Sequence, residues 1–126
     1  MLERTPYNKA GTSRSERSVA KPDPLSRSDL AVRMGDAEGN RDLIRGAIGA
    51  ILDQEAVPLL LGGDDSLPIP MLQALGARAK GGGPLTILQI DAHIDWREEV
   101  GGETWGLSST MRRASEMDHV ARIIQV

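Results

Sequence analysis

The stretch ILQIDAHIDW, residues 87–96, decides the fold prediction. Its apolar run ends in three side chains that can bind metal, Asp91, His93 and Asp95, each separated from the next by one apolar residue. In an extended chain, side chains at alternate positions share one face. We therefore predict that these three side chains point the same way, just beyond the end of a buried strand.

The segments before this stretch predict further elements of an α/β fold. LTILQI (residues 85–90) is apolar almost throughout, which is typical of a parallel strand covered on both faces. AVPLLLGGDDS (residues 56–66) predicts an earlier buried strand that ends in a Gly-Gly turn. PIPMLQALGARAK, between them, predicts a helix with Pro70 in its first turn. Strand, helix and strand together predict a β-α-β unit, with the two strands as neighbours in a mainly parallel sheet.

The N-terminal part of the chain divides into an arm and the start of the folded region. Residues 1–30 are polar, without sustained periodicity, and predict an irregular arm before a domain over residues 31–126. Residues 30–36 suggest a short strand and a turn. From residue 41 to residue 54, apolar side chains recur with a period of 3.6 residues and predict a helix, for which Asn40 is a plausible N-cap.

Composition narrows the possible partners. The chain has 126 residues, a net charge of -3 and no cysteine. This charge gives no general attraction to nucleic acid or to an anionic membrane. No stretch is long and apolar enough to span a bilayer, and the first residues lack the apolar middle of a secretory signal. We therefore expect a cytoplasmic protein with neither nucleic acid nor membrane as a partner.

The predicted strand ends bring acidic side chains together. Ligands of open α/β sheets bind beyond the carboxyl ends of the strands, where Asp64 and Asp65 of the first strand would face the cluster at residues 91–95. Carboxylates with an imidazole suit divalent metals such as manganese, and a metal pair suits hydrolysis. The alternative is that such residues cap turns or helices, and for Asp64 we favour a role in holding the turn.

Other charged side chains near the motif have more ordinary explanations. Glu98 and Glu99 are expected to face solvent, and His119 to have a surface or helix role. The pair Arg112 and Arg113 could bind an anion, but an ion pair is the commoner role for such residues.

Three segments together resemble successive motifs of the ureohydrolase family, which comprises the arginases and agmatinases. They are LLLGGDDSLPIP, LQIDAHIDWR and SSTMRRASEM. The similarity extends from about Leu30 to the last residue and is closest to the agmatinase-like branch. It implies an arginase-like, three-layer α-β-α fold around a mainly parallel sheet, of which this chain would be the N-terminal portion.

The resemblance also implies a function. Two Mn²⁺ ions would activate a hydroxide to attack a guanidinium carbon, so that agmatine or a related guanidino compound yields urea and an amine. The implied metal ligands are Asp65, Asp91, His93 and Asp95, with Asp91 a candidate for bridging both ions. The intact family members that this chain resembles commonly form homo-oligomers, either trimers or hexamers.

Three departures from the family pattern bear on activity. Asp65 occupies the position of a metal-binding histidine in the usual GGDHS motif, and Leu107 lies near the position of a histidine proposed for proton transfer or substrate contact. The later D-x-D motif of the family has no counterpart after Asp95. We therefore expect an incomplete copy. One alternative is a non-catalytic module that assembles with intact homologues, and another is a different dinuclear hydrolase such as a phosphoesterase.

Overall fold

A computed structural model describes residues 29–78 and 83–126. Nearly all of the predicted arm lies outside these residues. The elements in chain order are α1 (Ala37–Leu52), α2 (Pro68–Arg78), β1 (Leu85–Gln89), α3 (Thr110–Ser115) and β2 (Val120–Gln125). Two helices and a parallel strand pair joined through a third helix confirm the α/β class.

Helix α1 begins earlier than its apolar stripe predicts. Asp36 is the N-cap, and its side chain accepts a hydrogen bond from the Gly39 amide. The prediction of Asn40 as N-cap is therefore wrong. The Asn40 side chain instead makes two 2.8 Å hydrogen bonds with the backbone of Arg33, one to its N–H and one to its carbonyl. These bonds stabilise a turn in residues 30–36, where the suggested strand does not form.

Helices α1 and α2 form the core of the described structure. Ile44 and Ile48 of α1 are buried and belong to one apolar cluster with Ala74 of α2. At the open end of this pair, Arg78 forms an ion pair with Asp53, with a 2.7 Å contact. The Arg78 guanidinium lies over Gly49 and would contact a side chain there. The apolar side chains that recur along each helix are thus the ones that pack against the other helix.

The prediction of a strand over residues 56–66 is wrong. This segment is assigned to no sheet, although its side chains alternate as in a strand. Leu60 packs against the core cluster, whereas Leu59 and Leu61 are 77% and 82% exposed. An apolar pattern favours extended backbone, but a strand also needs a neighbour with which its N–H and carbonyl groups can pair. No described residue supplies that neighbour.

The sheet that does form contains β1 and β2 in parallel, with Gln89 opposite Gln125 at its end. The observed β-α-β unit therefore runs through α3, and not through α2 as the sequence predicts. The sequence analysis does not predict strand β2. The expectation that both faces of β1 are covered is also wrong for the described residues, since Leu88 is 61% exposed and Ile90 is 80% exposed.

One side chain connects the helix pair to the sheet. His119 lies just before β2, and its Nε2 is 2.9 Å from the Leu72 carbonyl oxygen of α2, to which it donates. The imidazole ring lies so close to Gly76 that a Cβ at that position would be 2.2 Å from it. The predicted surface or helix role of His119 is thus replaced by a contact between elements. Among the described helices, none has the length and apolar character needed to cross a membrane.

Candidate metal centre

A groove of about 420 Å³ lies between the extended segment at residues 56–62 and the end of β1. Its walls come from that segment, from α2, from the end of β1 and from the start of α3. Five acidic or amide-bearing side chains line it, namely Asp64, Asp65, Gln89, Asp91 and Asp95. The groove is therefore where the chain gathers most of the predicted ligands.

Asp65 is held by the loop before α3. Its Oδ2 accepts a 2.9 Å hydrogen bond from the Ser108 amide, and its backbone carbonyl accepts one from the Thr110 hydroxyl. Its Oδ1 is buried and has no hydrogen-bond partner. A buried carboxylate oxygen without a partner is costly, and a bound cation is one way to offset that cost.

Asp64 has the role predicted for it. Its Oδ1 accepts hydrogen bonds from the Ser66 amide, at 2.9 Å, and from the Ser66 hydroxyl, at 2.5 Å. The side chain therefore stabilises the turn that follows the Gly-Gly pair, which leaves Asp65 as the carboxylate that faces the motif at residues 91–95.

Asp95 is the most constrained residue of the site. It is 5% exposed, and its backbone is in the left-handed region with φ of 49°. Its carbonyl accepts hydrogen bonds from the amides of Met111 and Arg112 in the first turn of α3, at 3.1 and 3.2 Å. Its Oδ2 accepts a 2.6 Å hydrogen bond from the Gln89 side chain. Asp is among the few residues that tolerate this backbone conformation.

The electrostatics of Asp95 reflect its acidic neighbours. Burial raises the pKa of the Asp95 carboxyl, and the nearby Asp65 and Asp91 carboxylates raise it further. The hydrogen bond from Gln89 lowers this pKa and so opposes the other effects. Asp65 and Asp91 therefore both act on the Asp95 carboxyl at the groove.

His93 does not follow the alternation predicted for the motif. The chain bends at residues 92–93, and the His93 side chain is 82% exposed. Its amide donates a 2.8 Å hydrogen bond to Asp91 Oδ1, and its Nδ1 is 3.3 Å from the same oxygen. The expectation that all three side chains share one face is therefore wrong, because the chain is no longer extended beyond β1.

The donor chemistry of Asp65, Asp91 and Asp95 fits a hard or borderline divalent cation, and the partnerless oxygen of Asp65 is the observation that supports this fit. In residues 29–78 and 83–126, no three His, Asp or Glu side chains stand in an arrangement that could hold a metal. The ligand set of Asp65, Asp91, His93 and Asp95 stays a prediction.

The arginine pair has a structural role. Arg112 and Arg113 both form ion pairs with Glu98 and Glu116, and the Arg113 guanidinium lies 5.8 Å from the centre of the Trp105 ring. These contacts attach the loop after Asp95 to α3. They favour the ion-pair interpretation of the two arginines over anion binding, and they give the exposed Glu98 a partner.

Two further side chains near the motif, those of Glu99 and Leu107, are exposed to solvent. Glu99 is exposed, and its carboxylate accepts a 2.9 Å hydrogen bond from the Gly102 amide in the adjacent turn. Leu107 is 52% exposed, so no polar group takes the place of the histidine expected near this position.

Sequence interpretation missed the residues that support the carboxylates. Gln89, Ser108 and Thr110 hold Asp95 or Asp65 through hydrogen bonds. The signal for Gln89 was its position, since it is the one polar side chain at the end of an apolar strand that runs into the motif. Ser108 and Thr110 lie more than 40 residues from Asp65, and no local pattern connects them.

With this arrangement established, comparison with known proteins identifies the class. The profile described as "Arginase family" matches residues 8–126. An agmatinase from Bacillus cereus is 32% identical over 89 residues, which are 71% of this chain and 30% of the agmatinase. The chain belongs to the arginase family.

Solved structures agree. An arginase from Medicago truncatula superimposes with a TM-score of 0.64 and 27% identity over 72% of this chain and 28% of that one. A formimidoylglutamase from Bacillus subtilis gives 0.63 and 26% over 78% of this chain and 30% of that one. The fold is thus a portion of the arginase-like α/β fold. The chain spans less than a third of the length of these relatives, and their similar identities do not separate the agmatinase-like branch from the others.

Proposed function

We propose that this chain contributes to the hydrolysis of a guanidino compound, with agmatine as the first candidate, to urea and an amine. The observation that carries the proposal is the meeting of Asp65 and Asp95 at one groove, with a buried oxygen of Asp65 left without a partner. Membership of the arginase family supports the reaction class. The agmatinase match supports agmatine, and the arginase match equally supports arginine.

The chemistry needs a divalent metal pair, which we propose to be manganese and which supplies the activated water for attack on the guanidinium carbon. In this chain Asp65, Asp91 and Asp95 would hold it, joined by His93 after rotation of its exposed side chain. Asp65 would take the position that a histidine has in the usual family motif.

Calorimetric titration of the chain with Mn²⁺ tests the proposed site. We expect binding by the native chain and its loss in the double variant Asp91→Ala, His93→Ala. Asp42→Asn is the matched control, because Asp42 is an exposed carboxylate paired with Arg45 on α1. Equal binding by the native chain and the double variant would show that any bound metal lies elsewhere.

Product analysis then tests the substrate. Agmatine and arginine would both release urea, whereas formimidoylglutamate would release formamide, so the identity of the product separates the candidate reactions. If the Mn²⁺-loaded chain, supplemented with the remaining part of a family fold, releases urea from neither agmatine nor arginine, these two substrates are excluded, and failure with every guanidino compound would overturn the proposal. Release of phosphate from a phosphoester would instead indicate the phosphoesterase alternative.

A second candidate function rests on the apolar surface. Leu59, Leu61, Leu88 and Ile90 are each more than 60% exposed. Such a surface favours association with other protein chains. In this role the chain would be a non-catalytic module that assembles with intact homologues, and co-purification with an intact arginase-family protein is the expected result. A strictly monomeric chain in the presence of that homologue would exclude the role.

A further inference from the structure

Two glutamine side chains occupy matching positions at the ends of the two strands. Gln89 is the last residue of β1 and Gln125 the last of β2, and the sheet register places them opposite each other. Because the strands are parallel, opposite residues direct their side chains to the same face of the sheet. The Gln125 Nε2 donates a 2.6 Å hydrogen bond to the Gln89 Oε1, so the two amides are directly joined.

The remaining N–H groups of the two amides are directed at the turn that contains the motif. Gln89 donates to the Asp95 carboxylate at 2.6 Å and to the His93 carbonyl at 3.3 Å. Gln125 donates to the Ile94 carbonyl at 2.8 Å. A glutamine side chain has two N–H donors, so all four donors of the pair are used.

The network also fixes which way each amide faces. If the Gln89 amide were reversed, its oxygen would face the Asp95 carboxylate and its nitrogen would face the donor of Gln125. Both contacts would be repulsive, so only one orientation satisfies every partner. The pair therefore acts as a rigid clamp on residues 93–95, which we call the glutamine clamp.

We propose that the glutamine clamp, Gln89 with Gln125, is a positioning device that sets the direction of the Asp95 carboxylate and the path of residues 93–95 toward the metal site. This inference rests on the proposed function, because Asp95 is a candidate ligand there. Hydrogen bonds to a metal-binding carboxylate fix its orientation, and their loss commonly weakens metal binding by about 10- to 100-fold. Neither glutamine would touch the metal.

Replacement of each glutamine by methionine tests the clamp, because methionine has a similar length but no N–H donor. We expect Gln89→Met to weaken Mn²⁺ binding by about tenfold or more. Gln125→Met should weaken it less, because Gln125 acts through Gln89 and the Ile94 carbonyl. Gln54→Met is the matched control, since the side chain of the exposed Gln54, in the turn after α1, donates to the Ala50 carbonyl of that helix at 3.2 Å. This variant should bind Mn²⁺ as the native chain does.

Melting curves of all four proteins, with metal removed, distinguish positioning from general stability. A lower melting temperature with unchanged Mn²⁺ affinity in both clamp variants would assign the glutamines to stability alone and overturn the proposal. Weaker binding measured well below the melting temperature, with the Gln54 variant unaffected, would support it.

A readout that needs no metal separates failure of the clamp from failure of the metal site. In nuclear magnetic resonance spectra, the side-chain amide protons of Gln89 and Gln125 should exchange with water much more slowly than those of Gln54. If they do, and the native chain nevertheless binds no Mn²⁺, the proposed function fails and the clamp stands. Exchange as fast as that of Gln54 would overturn the clamp whatever the metal result.

Discussion

Asp95 combines three unfavourable conditions in one residue: a buried carboxylate, acidic neighbours and left-handed backbone. The structure compensates with hydrogen bonds from α3 to its carbonyl and from Gln89 to its side chain. Residues kept in such conditions are characteristic of functional sites, because stability alone would not select them. A bound cation would remove the repulsion that the chain alone tolerates.

The replacement Asp95→Asn should therefore stabilise the metal-free chain at neutral pH, because it removes a charge that is buried beside the acidic Asp65 and Asp91. Asn tolerates left-handed backbone and can still accept the hydrogen bond from Gln89. Because the folded-state pKa of Asp95 lies above its usual 3.8, the favourable contribution of this group is complete below that value. It is lost as the pH rises through the folded-state pKa.

Urea unfolding of both proteins with a chelator, at a series of pH values, measures this effect. The variant should be the more stable at pH 7, and the difference should shrink as the pH falls through the folded-state pKa of Asp95 and vanish below about 4. A difference that does not change with pH would show that the Asp95 carboxylate carries no electrostatic cost.

At the scale of single residues, the sequence predicts which side chains belong to the site better than it predicts where each side chain points. The approach of Asp65 to Asp91 and Asp95 at one groove follows from the prediction, although the strand at whose end Asp65 was expected does not form. The outward direction of His93 does not follow from it, because the rule of alternate faces holds only while the chain is extended. The bend at residues 92–93 is held by the hydrogen bond from the His93 amide to Asp91. The left-handed Asp95 is held by amides of α3, which lies further along the chain.

At the scale of elements, α1, α2 and β1 could be predicted because each has a strong local pattern. For the segment at residues 56–62 and for strand β2, the local pattern and the observed structure disagree. The first has the pattern of a strand but no neighbour, and the second pairs with β1 although its sequence VARIIQ was not recognised as a strand. Its β-branched residues were the available signal. Pairing in a sheet depends on distant chain, which a local pattern does not contain.

Two glycine replacements should change the free energy of unfolding in opposite directions, because only one of the glycines lies against His119. Gly76→Ala places a Cβ against the imidazole ring and should cost about 1–3 kcal/mol. Gly46→Ala, at an exposed position of α1, meets nothing within 4 Å and should stabilise the chain by up to about 1 kcal/mol, because Ala is the better helix former.

Chemical denaturation of the two glycine variants beside the native chain gives both values. Stabilisation of similar size in both variants would mean that the His119 ring does not rest on α2 in solution.

At the scale of the whole molecule, apolar side chains that a complete domain would bury lie on the surface. They belong to the segment at residues 56–62 and to β1 and its end, and the chain spans less than a third of its relatives. Apolar surface of this kind promotes association, with further protein or with other copies of the chain.

The double variant Leu59→Ser, Leu61→Ser should therefore reduce self-association, with little change in the free energy of unfolding. Leu60→Ser should instead lower the free energy of unfolding by about 2 kcal/mol or more, because Leu60 packs against the core cluster. Sedimentation velocity and urea unfolding measure the two effects. Equal association by the native chain and the double variant would place the contact surface elsewhere.

The contact between His119 and Leu72 also has a consequence for synthesis on the ribosome. It joins residues 47 positions apart, whereas the packing of α1 against α2 is complete once residue 78 has emerged. Chains fold progressively as they emerge, so the helix pair can assemble first and present Gly76 as a docking place. Strand β1 must then wait for β2, and in that interval its backbone N–H and carbonyl groups lack the partners that β2 supplies.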